Sequence, residues 1–295
     1  MSAGSPPDLR TPPYLPHLAS GEVLQMGLSP LADAPWIETD SDLPRYHSHK
    51  LAERRRNEKA VYRTEAGSEP AQEELATLLL AHLTQEQPAW YELRDNTLCY
   101  KPAGLEMPVT GDEPLWQASL WVADDLVLMA PCGGDYRLVA ASLCSPSHWR
   151  LADKFGCPLA DIHAPIPDFA ATLTPGVQRF FAHLQTRHPV VRYNWSLQAT
   201  DELHPDPEEH GAVAPETALY YRTERQSLCR LPRSGAVAFT IRVYLHPLDC
   251  VGAHPDAMAA LLEAVAATPP ALAHYKGFDR LAPALEKYRP AGRGG

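Results

Sequence analysis

The sequence predicts an α+β fold organised on one main antiparallel sheet, and two observations carry that prediction. Runs rich in β-branched and aromatic residues come first, a helical stretch follows, and further such runs come after it, whereas a doubly wound parallel sheet would alternate strand and helix throughout. The second observation is proline: 30 of 295 residues is about twice the usual share of roughly 5%, which favours long ordered loops over a helical bundle. With 45% hydrophobic residues the chain has the apolar content for a core, and its length suits one large domain or two small ones.

Taken in order, residues 1–22 are rich in Pro, Ser and Gly without periodicity and read as a flexible N-terminal segment; residues 289–295 read as a flexible tail, leaving 23–288 as a single domain. Arg54-Arg55-Arg56, followed at once by Asn57 and Glu58, reads as a solvated helix face. Behind a Ser68-Glu69-Pro70 start, Leu75, Leu78, Leu79 and His82 or Leu83 recur at helical spacing up to Gln87. Residues 115–122, 126–130 and 136–144 read as strands, with Asp124-Asp125 and Gly133-Gly134-Asp135 as the hairpin turns between them. Ser147 can cap a short helix through Phe155 that Gly156 closes. A second amphipathic helix opens at Thr174-Pro175 with Val177, Phe180, Phe181 and Leu184 on one stripe. Three strands follow, at 190–197, 219–231 and 236–245, the first two separated by an acidic insert at 201–216 that is too polar to pack and belongs on the surface. After Pro255 a third helix turns Met258, Leu261, Leu262 and Val265 inward.

Several functions are excluded. A formal net charge of −10 argues against a surface built to neutralise phosphates, so no nucleic-acid partner is expected. The six cysteines form no CxxC or CxxCH, which removes closely spaced zinc, iron–sulfur and covalent-haem signatures. There is no GxGxxG, P-loop, GxSxG or HExxH. No signal peptide is recognisable, and no apolar run approaches the roughly 18 residues of a membrane span. The expectation is a soluble cytoplasmic protein with reduced thiols, in which the Asn194-Trp195-Ser196 sequon has no meaning. His47-Ser48-His49, read as a polar loop, offers two imidazoles but no third metal ligand, and His204 and His210 in the insert are no stronger.

Two stretches stand out. In the first, His163 sits between Ile162 and Ala164, ahead of Pro165 and Pro167, which force the chain out of helical geometry. An imidazole in so rigid and apolar a setting is either a core histidine bonded to a backbone carbonyl or a group with a fixed role, as axial ligand or proton carrier. The second stretch is in the late strands. Arg192, Asn194 and Ser196 share one face by alternation, as do Arg222, Glu224 and Gln226, with Arg225 on the other face and Arg242 in the next strand. So much charge among aromatic and β-branched residues is either a solvated surface laced with ion pairs or a wall facing a polar ligand.

Together with Met26-Gly27-Leu28-Ser29-Pro30-Leu31, Trp36 and Asp40, the motifs Pro146-Ser147-His148-Trp149, Lys154-Phe155-Gly156, Ile162 to Pro167, Arg192 to Ser196, Glu224 to Leu228, Leu231 to Gly235 and Phe239 to Arg242 resemble those of the haem-dependent oxidative N-demethylases. The resemblance spans about Val23 to Tyr288, and its specificity lies in the order of the motifs. It implies a PAS-like antiparallel sheet with a helical insert and flanking helices, holding a non-covalent haem b whose proximal iron ligand is His163. It further implies an O2-dependent monooxygenase that removes a methyl group from a secondary amine and releases formaldehyde. Glu224 is then the acid/base or amine anchor, with Arg222 and Gln226 beside it. Arg225, Arg192 and Arg242 are candidates for the haem propionates or for oxygen-bound intermediates. Electrons come from a separate flavin/iron–sulfur reductase subunit. A haem-based gas or redox sensor, or a haemless binding subunit, is the alternative reading. Two positions depart from the family: His148, where glycine is common, is a possible alternative or sixth ligand, and Cys229 replaces a frequent basic residue.

Overall fold

The computed structural model describes residues 11–20, 23, 26–147, 150–164, 174–205 and 211–289. His148, Pro165, Pro167 and His210 lie outside them, so the expectations placed on those residues, and on residues 1–10 and 290–295, are not addressed by the structure.

The fold is mixed helix and antiparallel sheet, in agreement with the α+β expectation. Strand β1 (Ser29–Pro30) precedes helix α1 (Leu43–Val61), strand β2 (Tyr62–Thr64) and helix α2 (Glu69–Gln85). A three-stranded sheet of β3 (Tyr91–Arg94), β4 (Thr97–Tyr100) and β5 (Leu105–Pro108) leads into α3 (Pro114–Leu120). Then come the hairpin β6 (Asp125–Cys132) and β7 (Asp135–Ser142), the short helices α4 (Leu151–Lys154) and α5 (Leu159–His163), and α6 (Thr174–His183). The long strands β8 (Val190–Gln198), β9 (Tyr220–Arg230) and β10 (Val237–Pro247) follow. Helices α7 (Leu248–Gly252), α8 (Pro255–Ala267), α9 (Pro270–Tyr275) and α10 (Phe278–Leu285) close the described chain. None of the described helices is long and apolar enough to cross a membrane.

The seven-stranded sheet runs β1-β8-β9-β10-β6-β7-β2. Its register opposes Arg192 to Gln226 and Asn194 to Glu224 across β8 and β9, Gln226 to Ile241 and Leu228 to Phe239 across β9 and β10, and Phe239 to Val127 across β10 and β6. Because side chains alternate along a strand, these residues share one face. Arg225 and Arg242, opposite one another in β9 and β10, are on the other.

Five sequence expectations change. The short helix α4 starts after Arg150, with no side-chain cap, rather than at Ser147, and the acidic insert does pack in part, since Leu203 is buried in the core. Residues 115–122 are helix α3 and its end rather than a strand: Leu115, Trp116, Ala118, Ser119 and Leu120 are all buried, and a run buried on every side carries no period to tell helix from strand. The informative signal was Pro114, which stands in the first turn. Asp124-Asp125 is not a hairpin turn. Both residues are buried, and the Asp125 carboxylate accepts the backbone N–H groups of Cys144 (3.0 Å) and Ser145 (2.7 Å), fixing the loop after β7. The Gly133-Gly134 turn does join β6 to β7, with both glycines at positive φ. Finally, His47 and His49 belong to α1 rather than a loop. Each bonds a backbone carbonyl, Leu120 at 3.1 Å and Cys144 at 2.8 Å respectively.

Candidate functional site

The face of the sheet that carries Arg192, Asn194, Glu224 and Gln226 is one wall of a cavity with about 1500 Å³ of atom-free space, its open mouth included. Leu228, Phe239, Ile241, Val127 and Met129 continue that wall as apolar floor. The opposite side is formed by the helical insert between β7 and β8: Leu159, Ile162 and His163 from α5, and Val177, Phe180 and Phe181 from α6. Ser145, Pro146 and Ser147 edge it, and Tyr275 and Lys276 reach it from the end of α9. A mostly apolar lining with a few convergent polar groups is the usual make-up of a small-molecule or cofactor site.

His163 ends α5, and its Nδ1 lies 2.9 Å from the Leu159 carbonyl. A carbonyl only accepts, so Nδ1 carries the hydrogen and the lone pair falls on Nε2, the neutral form in which imidazole binds a metal. Burial pushes the ring below the ordinary histidine value, and Arg192 and Lys154 act in the same direction. The two sequence readings of this residue therefore meet. The carbonyl bond is present, and it orients the ring on a cavity wall.

Glu224 is the centre of the polar wall. Its carboxylate accepts from Arg222 Nε (3.2 Å), Asn194 Nδ2 (3.3 Å) and Gln226 Nε2 (2.9 Å). Burial alone would raise its pKa, but Arg222, Lys276 and the Asn194 bond outweigh it and hold the group below the usual carboxylate range. Arg222 is fully buried and also donates to the carbonyls of Leu203 (3.1 Å) and Ser145. It positions Glu224 and the cavity's edge rather than lining the space itself. Burial lowers the pKa of Arg192, with Glu224 opposing it.

Arg225 and Arg242 stand apart from the cavity. Arg225 is paired with Glu38 at 3.1 Å and donates to the carbonyls of Pro35 (2.7 Å) and Trp36 (3.0 Å). Arg242 is paired with Asp40 at 2.7 Å and lies over the rings of Tyr46 and Tyr244. Of the three arginines nominated from sequence for an acidic cofactor group, only Arg192 faces the cavity. Lys276 and Lys154 also line it; sequence reasoning named Lys154 within a motif but gave it no role, and missed Lys276. Lys276 follows a short helix some eighty positions beyond Asn194, and no local pattern announces it.

Among the described residues no cluster of three or more His, Cys, Asp or Glu could hold a metal ion by itself. A family model described as haem-dependent oxidative N-demethylase, alpha subunit-like, matches residues 27–286.

Proposed function

The chain belongs to the haem-dependent oxidative N-demethylase alpha subunit-like family, and on that premise we propose that it binds haem b in the cavity and oxidatively demethylates a secondary amine. The observation that carries the reading is His163: a neutral imidazole with its Nδ1–H tied to a carbonyl, on the wall of a largely apolar cavity that also holds the Arg192 guanidinium. A haem needs one protein ligand to iron, apolar surface for the macrocycle and cations for its carboxylates, and His163, the Leu159, Ile162 and Phe180 surface, and Arg192 supply these in turn. The sequence hairpin, helical insert, three long strands on one antiparallel sheet supports the PAS-like description.

When bound, the haem supplies O2-dependent oxidation of the N-methyl carbon, in which two electrons, two protons and O2 convert the methylated amine to the demethylated amine, formaldehyde and water. The chain's own residues orient and screen. Glu224, ionised and with three donors on it, anchors the wall rather than shuttling protons. Asn194 and Gln226 set its geometry, and the apolar insert keeps bulk water from the reacting carbon. Electrons come from a partner, which the alpha-subunit description of the family supports and which we take to be a flavin/iron–sulfur reductase subunit.

Absorption spectroscopy tests the cofactor. Protein loaded with haem is expected to show a Soret band that is lost or shifted in His163→Ala; an unchanged band in that variant removes His163 as ligand, and no band in the wild type removes the haem. Formaldehyde release from a panel of methylated amines, with a surrogate electron donor in air, tests the reaction. A haem-loaded protein inactive across the panel is instead a sensor or binding subunit.

A further inference from the structure

Glu224 looks from sequence like the acid or base of the site, yet Arg222, Asn194 and Gln226 already donate to its carboxylate. The capacity left in that network belongs to its neighbours. Gln226 spends an amide N–H on Glu224, which fixes the orientation of the amide, and its buried Oε1 has no hydrogen-bond partner. A buried acceptor left without a donor is costly. Lys276, 5% exposed, donates to Asn194 Oδ1 (3.3 Å) and to the Trp195 carbonyl (3.2 Å), which leaves one of the three ammonium N–H groups. Both side chains line the cavity.

We infer that Lys276 and Gln226 are the recognition pair for the substrate nitrogen and that the site takes up the amine with a single proton shared between it and Lys276, an amine N–H donating to Gln226 Oε1 and the shared proton lying in the hydrogen bond between the amine nitrogen and Lys276 Nζ. The inference rests on the cavity being the amine-oxidising site. A neutral secondary amine has one N–H and one lone pair, which complement that acceptor and that donor. An ammonium has no lone pair and brings a second positive charge. The charges facing Lys276 are Glu224, Arg192 and Arg222, and Glu224 is already ion-paired with Arg222. A cationic substrate beside a protonated Lys276 therefore meets net repulsion, so one of the two gives up its proton. Burial, reinforced by Arg192 and Arg222 and opposed by Glu224, brings Lys276 down to about 8, so it is protonated near neutral pH before the amine enters and is the weaker base of the two afterwards.

Calorimetric titration of the haem-loaded protein with dimethylamine, in two buffers of different ionisation enthalpy, reads the protonation state of what binds. A simple alkylammonium titrates near the lysine value of about 10. Near neutral pH, binding with one shared proton then releases about one proton per amine and tightens about tenfold per pH unit until Lys276 titrates. Lys276→Gln keeps a donor and removes the charge, and its proton release is expected to fall toward zero as the ammonium is admitted. Gln226→Leu is expected to weaken binding about tenfold. No binding, binding without proton release in the wild type, or unchanged release in Lys276→Gln overturns the pair, and the wild-type measurement needs no variant to fold. A Soret band with no proton release fails the pair alone; no Soret band fails the cavity reading and the pair together.

Discussion

Strands β8, β9 and β10 bury charge on both faces, to different ends. On one face Arg192, Asn194, Glu224 and Gln226 stand on the wall of an open cavity. On the other, Arg225 and Arg242 are enclosed: each is paired with a carboxylate from the segment before α1, Glu38 or Asp40, and Arg242 is sandwiched by Tyr46 and Tyr244. Tyr14 and Tyr244 both donate to Glu38 and complete the enclosure. Buried charge in a sheet is thus no mark of a site by itself. The enclosed face spends its charges on tethering the N-terminal segment to the sheet, while the cavity face leaves a donor and an acceptor with unused capacity.

The largest effect that sharpens this contrast is expected from Arg242→Leu. Removing one member of a buried pair strands the other and costs about 3 to 5 kcal/mol, to be read as a lower denaturant midpoint. Because Arg242 does not face the cavity, the Soret band of whatever folded variant remains is expected to match the wild type. A stable variant with altered haem binding would break the assignment of the two faces.

How far the faces were legible follows from the same residues. Alternation along 190–197 and 220–231 put Arg192 with Asn194, and Glu224 with Gln226, because strand parity is a property of sequence. Parity also set Arg225 opposite Glu224. It could not place Arg242, since that needs the register between β9 and β10, which is fixed by long-range pairing. The small sheet β3 to β5 was missed because its strands are four residues each, too short for a period to show, and α3 was misread because its apolar residues surround the helix. His163 stood out from its local proline context. Its place on the cavity depends on the insert folding back over the sheet, and Lys276 joins the site only through the packing of α9.

The two faces also respond to acid in opposite senses. Asp124, which faces Arg242 and Arg225, is raised from 3.8 to about 6, mainly by burial. Its proton is therefore held more tightly in the folded chain, and stability falls as pH rises from about 4 to 6. Asp124→Asn is expected to gain up to about 3 kcal/mol at neutral pH, with the gain gone near pH 4, as measured by denaturation at each pH. Glu224 behaves the other way. Its folded-state pKa is depressed, so its contribution is complete above the unfolded value of 4.5 and is lost as pH falls through the folded one. Glu224→Gln is expected to cost about 1.5 to 3 kcal/mol at neutral pH, the worth of hydrogen bonds to a charged group, and to flatten the acid limb. Denaturation curves in which both variants shift the same limb in the same sense would merge the two faces into one electrostatic unit.

His163→Ala is expected to have the smallest effect on stability. The ring's carbonyl bond closes within α5 itself, and its partly exposed surface borders the cavity, so its loss opens no sealed void. A change below about 1 kcal/mol is expected, against the several expected for Arg242. The ranking for haem uptake is the reverse. If His163→Ala unfolded the apo-protein as severely as Arg242→Leu does, the histidine would be a structural tie of the insert, serving the cavity as Arg242 serves the enclosed face, by packing.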